Sequence, residues 1–137
     1  MAKYTFVVMS NPTTPGQEAE YNDWYNKIHI PDVLNVPGFV AAQRFKLAET
    51  QFADGKPAHR YLALYEIETD DIASSFKELQ KRVGTDDMFM SPAIDMKGLS
   101  AATFTPVAER VLANPVIEES TVTVVPRAGS GTPGKGV

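Results

Sequence analysis

The chain has no cysteine, which excludes disulfide bonds and thiolate metal sites. Its two histidines, His29 and His59, lie 30 positions apart, too few for a histidine-rich metal site within one chain. Positive charge is not in excess. Thirteen Lys and Arg stand against 17 Asp and Glu, giving a net charge of −4 and a pI near 5.1. Binding to phosphate backbones needs the opposite balance, so nucleic acid is not expected as a partner. No apolar run approaches the ~20 residues that span a bilayer, and the N-terminus lacks a signal-peptide pattern. No membrane association is expected, and a cytoplasmic location is the default. Also missing are a Ser-His-Asp order, a Gly-rich phosphate loop between strand and helix, and a paired-carboxylate pattern. The glycines of the Gly129–Gly136 run belong to a tail. No metal and no cofactor are expected.

What is present is a 137-residue chain that is 43% hydrophobic, enough for one domain with a core. Its chemistry concentrates in Glu18 to Leu34, EAEYNDWYNKIHIPDVL. This stretch holds the single Trp, two of the five Tyr and one of the two His. Helical spacing gathers Tyr21, Trp24, Tyr25 and Ile28 into an apolar stripe. A second row, Glu18, Asn22, Tyr25 and His29, puts a carboxylate, an amide, a phenol and an imidazole along one edge. A helix start is expected at Thr14-Pro15-Gly16-Gln17, with Thr14 as N-cap. Pro31 is expected to end the helix, leaving His29 in the last turn. The helix dipole there favours protonated imidazole, whereas burial opposes it.

The remaining elements follow in order. Tyr4 to Met9 reads as a buried strand. Pro37-Gly38 marks a turn, and Phe39 to Glu49 reads as a second strand whose imperfect alternation implies a bulge. Ala53 to Pro57 is a hairpin-type connection. In the third strand, His59 to Glu68, the residues Tyr61, Ala63, Tyr65 and Ile67 face one way. A second helix carries Ile72, Phe76, Leu79 and Val83 on its apolar stripe, with Asp70 and Asp71 at its start and Gly84 at its C-cap. Ala101 to Val111 reads as the fourth strand, and Thr121 to Val125 as a short further one. This order is a ferredoxin-like βαββαβ antiparallel sheet of α+β class, with helices on one face. The other apolar face needs cover, so a homodimer with two sheets packed face to face is expected. Domain bounds are read as 1–113 for the main domain, 114–126 for a C-terminal extension whose strand pairs at the dimer, and 127–137 for a disordered tail.

Asn11-Pro12, Gly16, Glu18, Glu20-Tyr21-Asn22, Trp24-Tyr25, His29, Pro31-Asp32-Val33-Leu34, Pro37-Gly38-Phe39 and Arg44-Phe45 resemble the EthD-like branch of the dimeric α+β barrel superfamily. The motif-level match covers about residues 11–45, and the fold-level match about residues 3–111. The superfamily includes polyketide cyclases, cofactor-free quinone-forming monooxygenases, muconolactone isomerases, haem-degrading enzymes and proteins without assigned activity. The resemblance implies a ligand pocket between sheet and helices, with His29 at the position of an acid or base.

Each candidate residue carries two readings. His29 titrates near neutrality and suits acid–base catalysis, or it caps carbonyls or bonds to Asp32. Tyr25 and Asn22 join it as catalytic candidates; Tyr25 also fits the core, and Asn22 the surface. Trp24, Asp32, Arg44, Tyr65, Met88 and Phe89 are candidates for substrate binding. Asp32 equally suits an N-cap, and Trp24 a core position. Arg44 holds an anion, or pairs with Glu20 or Glu66. Met88-Phe89-Met90 covers a pocket or closes the core. His59 is expected to face solvent. The expected activity is cofactor-independent acid–base chemistry of lyase, isomerase, cyclase or oxygenase type on a small oxygenated aromatic or polyketide-like molecule. Haem binding through His29 and a non-catalytic accessory role are the alternatives.

Overall fold

Alternation of apolar residues along Ala2–Ser10 forms β1, which lies second from one edge of a four-stranded sheet. The computed structural model describes residues 1–113 and the backbone of residues 123–125, and falls into two units, 1–105 and 106–137. In the first unit the strands β2 (Phe39–Lys46), β3 (Tyr61–Thr69) and β4 (Ser100–Phe104) join β1 in the order β2-β3-β1-β4, all antiparallel. This is the expected ferredoxin-like sheet. The register slips between Phe39 and Ala41, the bulge implied by the broken alternation of β2. β4 is shorter than expected because Pro106, which has no N–H to give a neighbouring strand, follows Thr105.

Tyr61, Ala63, Tyr65 and Ile67 of β3 are all buried toward the helices, as their alternation predicts. The opposite sheet face carries the cross-strand rows Phe45–Leu62–Met9 and Gln43–Leu64–Val7–Ala102. Phe45, Met9 and Phe104 on this face are exposed in the single chain. The second helix, here α3 (Ile72–Arg82), starts where the Asp71 side chain accepts from Ser74 N at 3.1 Å, and it gives way at Gly84 with φ 80°. Gly38, also at positive φ, sits where a Cβ would come within 2.7 Å of Ser75 Oγ. Ser75 Oγ donates to Pro37 O at 2.8 Å, so the Pro-Gly-Phe turn and α3 are locked together.

The first helical region departs from expectation. Thr14 caps no backbone N–H; Pro15–Gln17 is a 3₁₀ turn and α1 (Glu18–Trp24) follows it. Pro31 does not end the helix. Tyr25–His29 forms a π turn, with Ile30 N–H donating to Tyr25 O, and α2 (Ile30–Leu34) continues through the proline. In a straight α-helix Pro31 could not donate to Lys27 O, and its ring would clash with that carbonyl. The wider turn removes both conflicts. It also holds more residues, so the inward position after Tyr25 falls on His29, and Ile28 is 43% exposed instead of buried.

In the second unit, β5 (Val111–Ala113) and β6 (Thr123–Val125) pair in parallel. Most of the expected extension, and the tail at 127–137, lie outside the described residues.

Candidate functional site

The π turn fixes the centre of the site. It delivers Tyr25 and His29 to the interior, where both are buried. The His29 ring stacks on Trp24 with centroids 4.7 Å apart and meets Tyr25 edge-on at 5.1 Å. Trp24 is itself held, its Nε1 donating to Phe89 O at 3.0 Å. His29 is only 8% exposed, yet its Nδ1 has no partner and its ring makes no hydrogen bond with any described residue. Neither a carbonyl nor Asp32 receives it. An unpartnered buried polar group costs about 1–3 kcal/mol, so its retention requires a reason. Burial is also the larger cause that lowers the His29 pKa to about 4, with the Arg44 cation adding to it. His29 lies inside the helical region, which continues to Leu34, and not at the helix end where the dipole was expected to act.

A cavity of about 160 Å³ opens beside His29, between the helices and the sheet. Tyr25 and Val33 line it from the same helical region, Phe6 and Val8 from β1, and Tyr65 from β3. Leu79 and Val83 close it from α3, and Met90, Ile94, Met96 and Leu99 from the segment before β4. That segment is pinned to the chain after β1: Thr13 N donates to Ala93 O at 2.7 Å and Asp95 N to Asn11 O at 3.0 Å. Burial pushes the Tyr25 hydroxyl up to about 12 and raises that of Tyr65 further, so both phenols stay protonated. The polar residues of the lining are His29 and the tyrosines Tyr25 and Tyr65, whose hydroxyls hydrogen-bond each other.

Arg44 lies behind this cavity, outside its wall. Its guanidinium sits 4.1 Å from the centre of the Tyr25 ring, on the helix side of β2. Arg44 donates to Asn22 Oδ1 at 2.9 Å and Asn26 Oδ1 at 2.7 Å, and pairs with neither Glu20 nor Glu66. Asn22 in turn donates to the Tyr61 hydroxyl, which donates to Glu18. Tyr61 and Arg60 together hold the Glu18 carboxyl below its usual range. The row Glu18, Asn22, Tyr25, His29 thus divides into an outer polar network and an inner pocket, joined at Tyr25.

Among the sequence candidates, the cavity gathers His29, Tyr25 and Tyr65. Trp24 supports His29 from outside it, and Asn22, Asp32 and Arg44 lie off its wall. Met88 is fully buried in the core and Phe89 is exposed, so of the expected Met88-Phe89-Met90 cover only Met90 lines the cavity, joined there by Met96. Met96 and Leu99 carried no periodic signal that marked them in the sequence. His59 is half-buried and its Nε2 lies 2.6 Å from Gly98 O, which corrects its assignment to solvent.

No protein-family model and no curated protein matches this sequence. Solved structures do match. A haem-degrader from Mycobacterium tuberculosis, MhuD, with two haems bound in its active site, shares 16% identity over 77% of this chain and 97% of its own, with a TM-score of 0.52. The chain has a ferredoxin-like α+β fold. An EthD-like protein from Ralstonia eutropha is 15% identical over 80% of this chain and 96% of its own, with a TM-score of 0.51. A dimeric ferredoxin-like protein from an uncultured marine organism is 11% identical over 80% of this chain and 99% of its own, with a TM-score of 0.54. At these identities the likeness is one of α+β barrel architecture. Among the described residues no helix is long and apolar enough to cross a membrane.

Proposed function

We propose that the protein binds a small, oxygenated, hydrophobic molecule beside His29 and moves a proton on it without a cofactor. The observation that carries this reading is the buried imidazole without a hydrogen-bond partner in the wall of a cavity. At neutral pH its lone pair is free to accept a proton from a hydroxyl, or from carbon next to a carbonyl. As the C–H or O–H bond breaks, an N–H bond forms and the electron pair settles on the substrate oxygen. The protonated phenols of Tyr25 and Tyr65 hydrogen-bond each other, and this pair is the polar group we place nearest to that oxyanion. His29 is a weak base at rest, so pairing between the new imidazolium and the oxyanion has to offset the transfer. Trp24 and Arg44 act as positioning residues, Trp24 on the His29 ring and Arg44 through Tyr25 and Asn22. Cyclisation, isomerisation, elimination and cofactor-free oxygenation all begin with this step.

The apolar face of the sheet supports a homodimer, with two such faces buried together and one pocket in each chain. A macrocycle of four pyrrole rings is far larger than the half-open cavity of about 160 Å³, which favours a smaller ligand over haem, although imidazole is a competent iron ligand. The accessory reading keeps one specific observation, the modest size of the cavity. It separates from the catalytic reading by whether purified protein turns substrate over alone.

The experiment is an NMR titration of both histidines with and without small oxygenated aromatic and polyketide-like ligands. His59, bonded to Gly98 O, is the internal control. The reading expects His29 to titrate near 4 and to move with ligand while His59 stays still. A His29 that titrates near 6.5 and ignores every ligand refutes it.

A further inference from the structure

Three properties of the cavity narrow what it takes. The first is size. About 160 Å³ is close to the roughly 150 Å³ at which an apolar protein cavity accepts one benzene ring, and it falls below the ~300 Å³ at which drug-sized pockets begin. The cavity is half-open, so a fused two-ring or larger skeleton would have to project from its mouth or displace the wall. The second is charge. Among the described residues no Lys, Arg, Asp or Glu lines the cavity; Arg44 stands off its wall over the Tyr25 ring, although its charge reaches His29. A carboxylate or ammonium ion would lose its water there and make no direct ion pair with the wall. The third is the pattern of polar groups. One imidazole without a hydrogen bond to the fold and two tyrosines whose hydroxyls bond each other sit among apolar walls that include two methionines, Met90 and Met96, whose thioethers pack well on ring edges.

We infer that the site takes a neutral single-ring compound bearing a hydroxyl, a phenol or a ring enol, with the hydroxyl on His29 and the ring between Met90, Met96 and Tyr65. A hydroxyl both donates and accepts, so it satisfies His29 whichever ring nitrogen carries the proton. A carbonyl satisfies only the N–H. The inference rests on the reading of His29 as the ligand-binding group.

The test is calorimetric binding of phenol, benzene, benzoate and 1-naphthol to the full chain, with the His29 ring resonances followed in parallel. Phenol is expected to bind and to move His29. Benzene should bind about tenfold more weakly for want of one buried hydrogen bond, and benzoate and 1-naphthol weaker still. Met90→Trp, which fills the cavity, should abolish phenol binding while leaving the ligand-free His29 titration near 4. If benzoate or 1-naphthol binds as tightly as phenol and moves His29, the ligand class is overturned and the role of His29 stands. If phenol binds equally well to His29→Ala, or none of the four binds up to its solubility limit, the inference is overturned. Equal binding to His29→Ala also removes the reading beneath it.

Discussion

Replacing His29 by leucine should remove a specific pH dependence from the stability of the protein. The folded-state pKa is lowered to about 4 by burial, with Arg44 contributing, against 6.5 for a free histidine. Between those values the unfolded chain binds a proton that the folded chain refuses. Stability therefore falls as pH falls through this window, and the loss saturates below pH 4. Linkage gives a loss relative to pH 7 of about 2 kcal/mol at pH 5 and about 3 kcal/mol at pH 4. Carboxylates also titrate below pH 5, but they do so in both proteins and cancel in the difference. Urea unfolding of the wild type and His29→Leu, measured in half-unit steps from pH 7 to 4, isolates the His29 contribution. At pH 7 the variant should be at least as stable as the wild type, since leucine leaves no polar atom unpartnered. A wild-type minus variant difference that stays within about 0.5 kcal/mol across the range would refute the argument that His29 is buried, neutral and unpartnered.

Four further perturbations probe the surrounding structure. Pro31→Ala restores an N–H for Lys27 O and removes the reason for the π turn; His29 should then titrate closer to 6.5 by NMR, and an unchanged value would dissociate the turn from the proline. Arg44→Met should raise the His29 pKa yet leave it below 6.5, because burial is the larger cause and remains. Gly38→Ala should cost about 2–3 kcal/mol in urea melts, from the positive φ and from displacing Ser75 off Pro37 O. Leu62→Glu puts an unpaired charge amid Phe45 and Met9 on the exposed sheet face, and should weaken self-association at least about 100-fold by sedimentation while the monomer stays folded.

The sheet was legible in the sequence because each strand writes its own pattern. Alternation along β3 assigned Tyr61, Ala63, Tyr65 and Ile67 to one face without reference to any other segment. The break in that pattern near Phe39 announced the bulge. The cavity was less legible, because its wall is assembled from five separate stretches and no period links Val8 to Leu79 or Leu99. Met88 and Met90 look alike in sequence, yet one is sealed in the core and the other lines the cavity. Only the pinning of the 85–99 segment to Asn11 and Thr13 decides between them.

The position of His29 shows how a local rule can mislead in a useful direction. Proline within a helical pattern reads as a stop, because the sequence rule weighs only the lost hydrogen bond and the ring clash. Here the chain meets the same constraint by widening one turn, which costs less than ending the helix since α2 still buries Val33 on the core. The widened turn rotates an imidazole to the place where the preceding apolar stripe calls for Ile28. An isoleucine there would extend the core, whereas an imidazole leaves its buried Nδ1 without a partner in the fold. The fold thus gives up stability at one residue and gains a polar group at the wall of a ring-sized cavity. The same imidazole is the group at which we propose the ligand hydroxyl binds, so the site and the local instability fall on one residue.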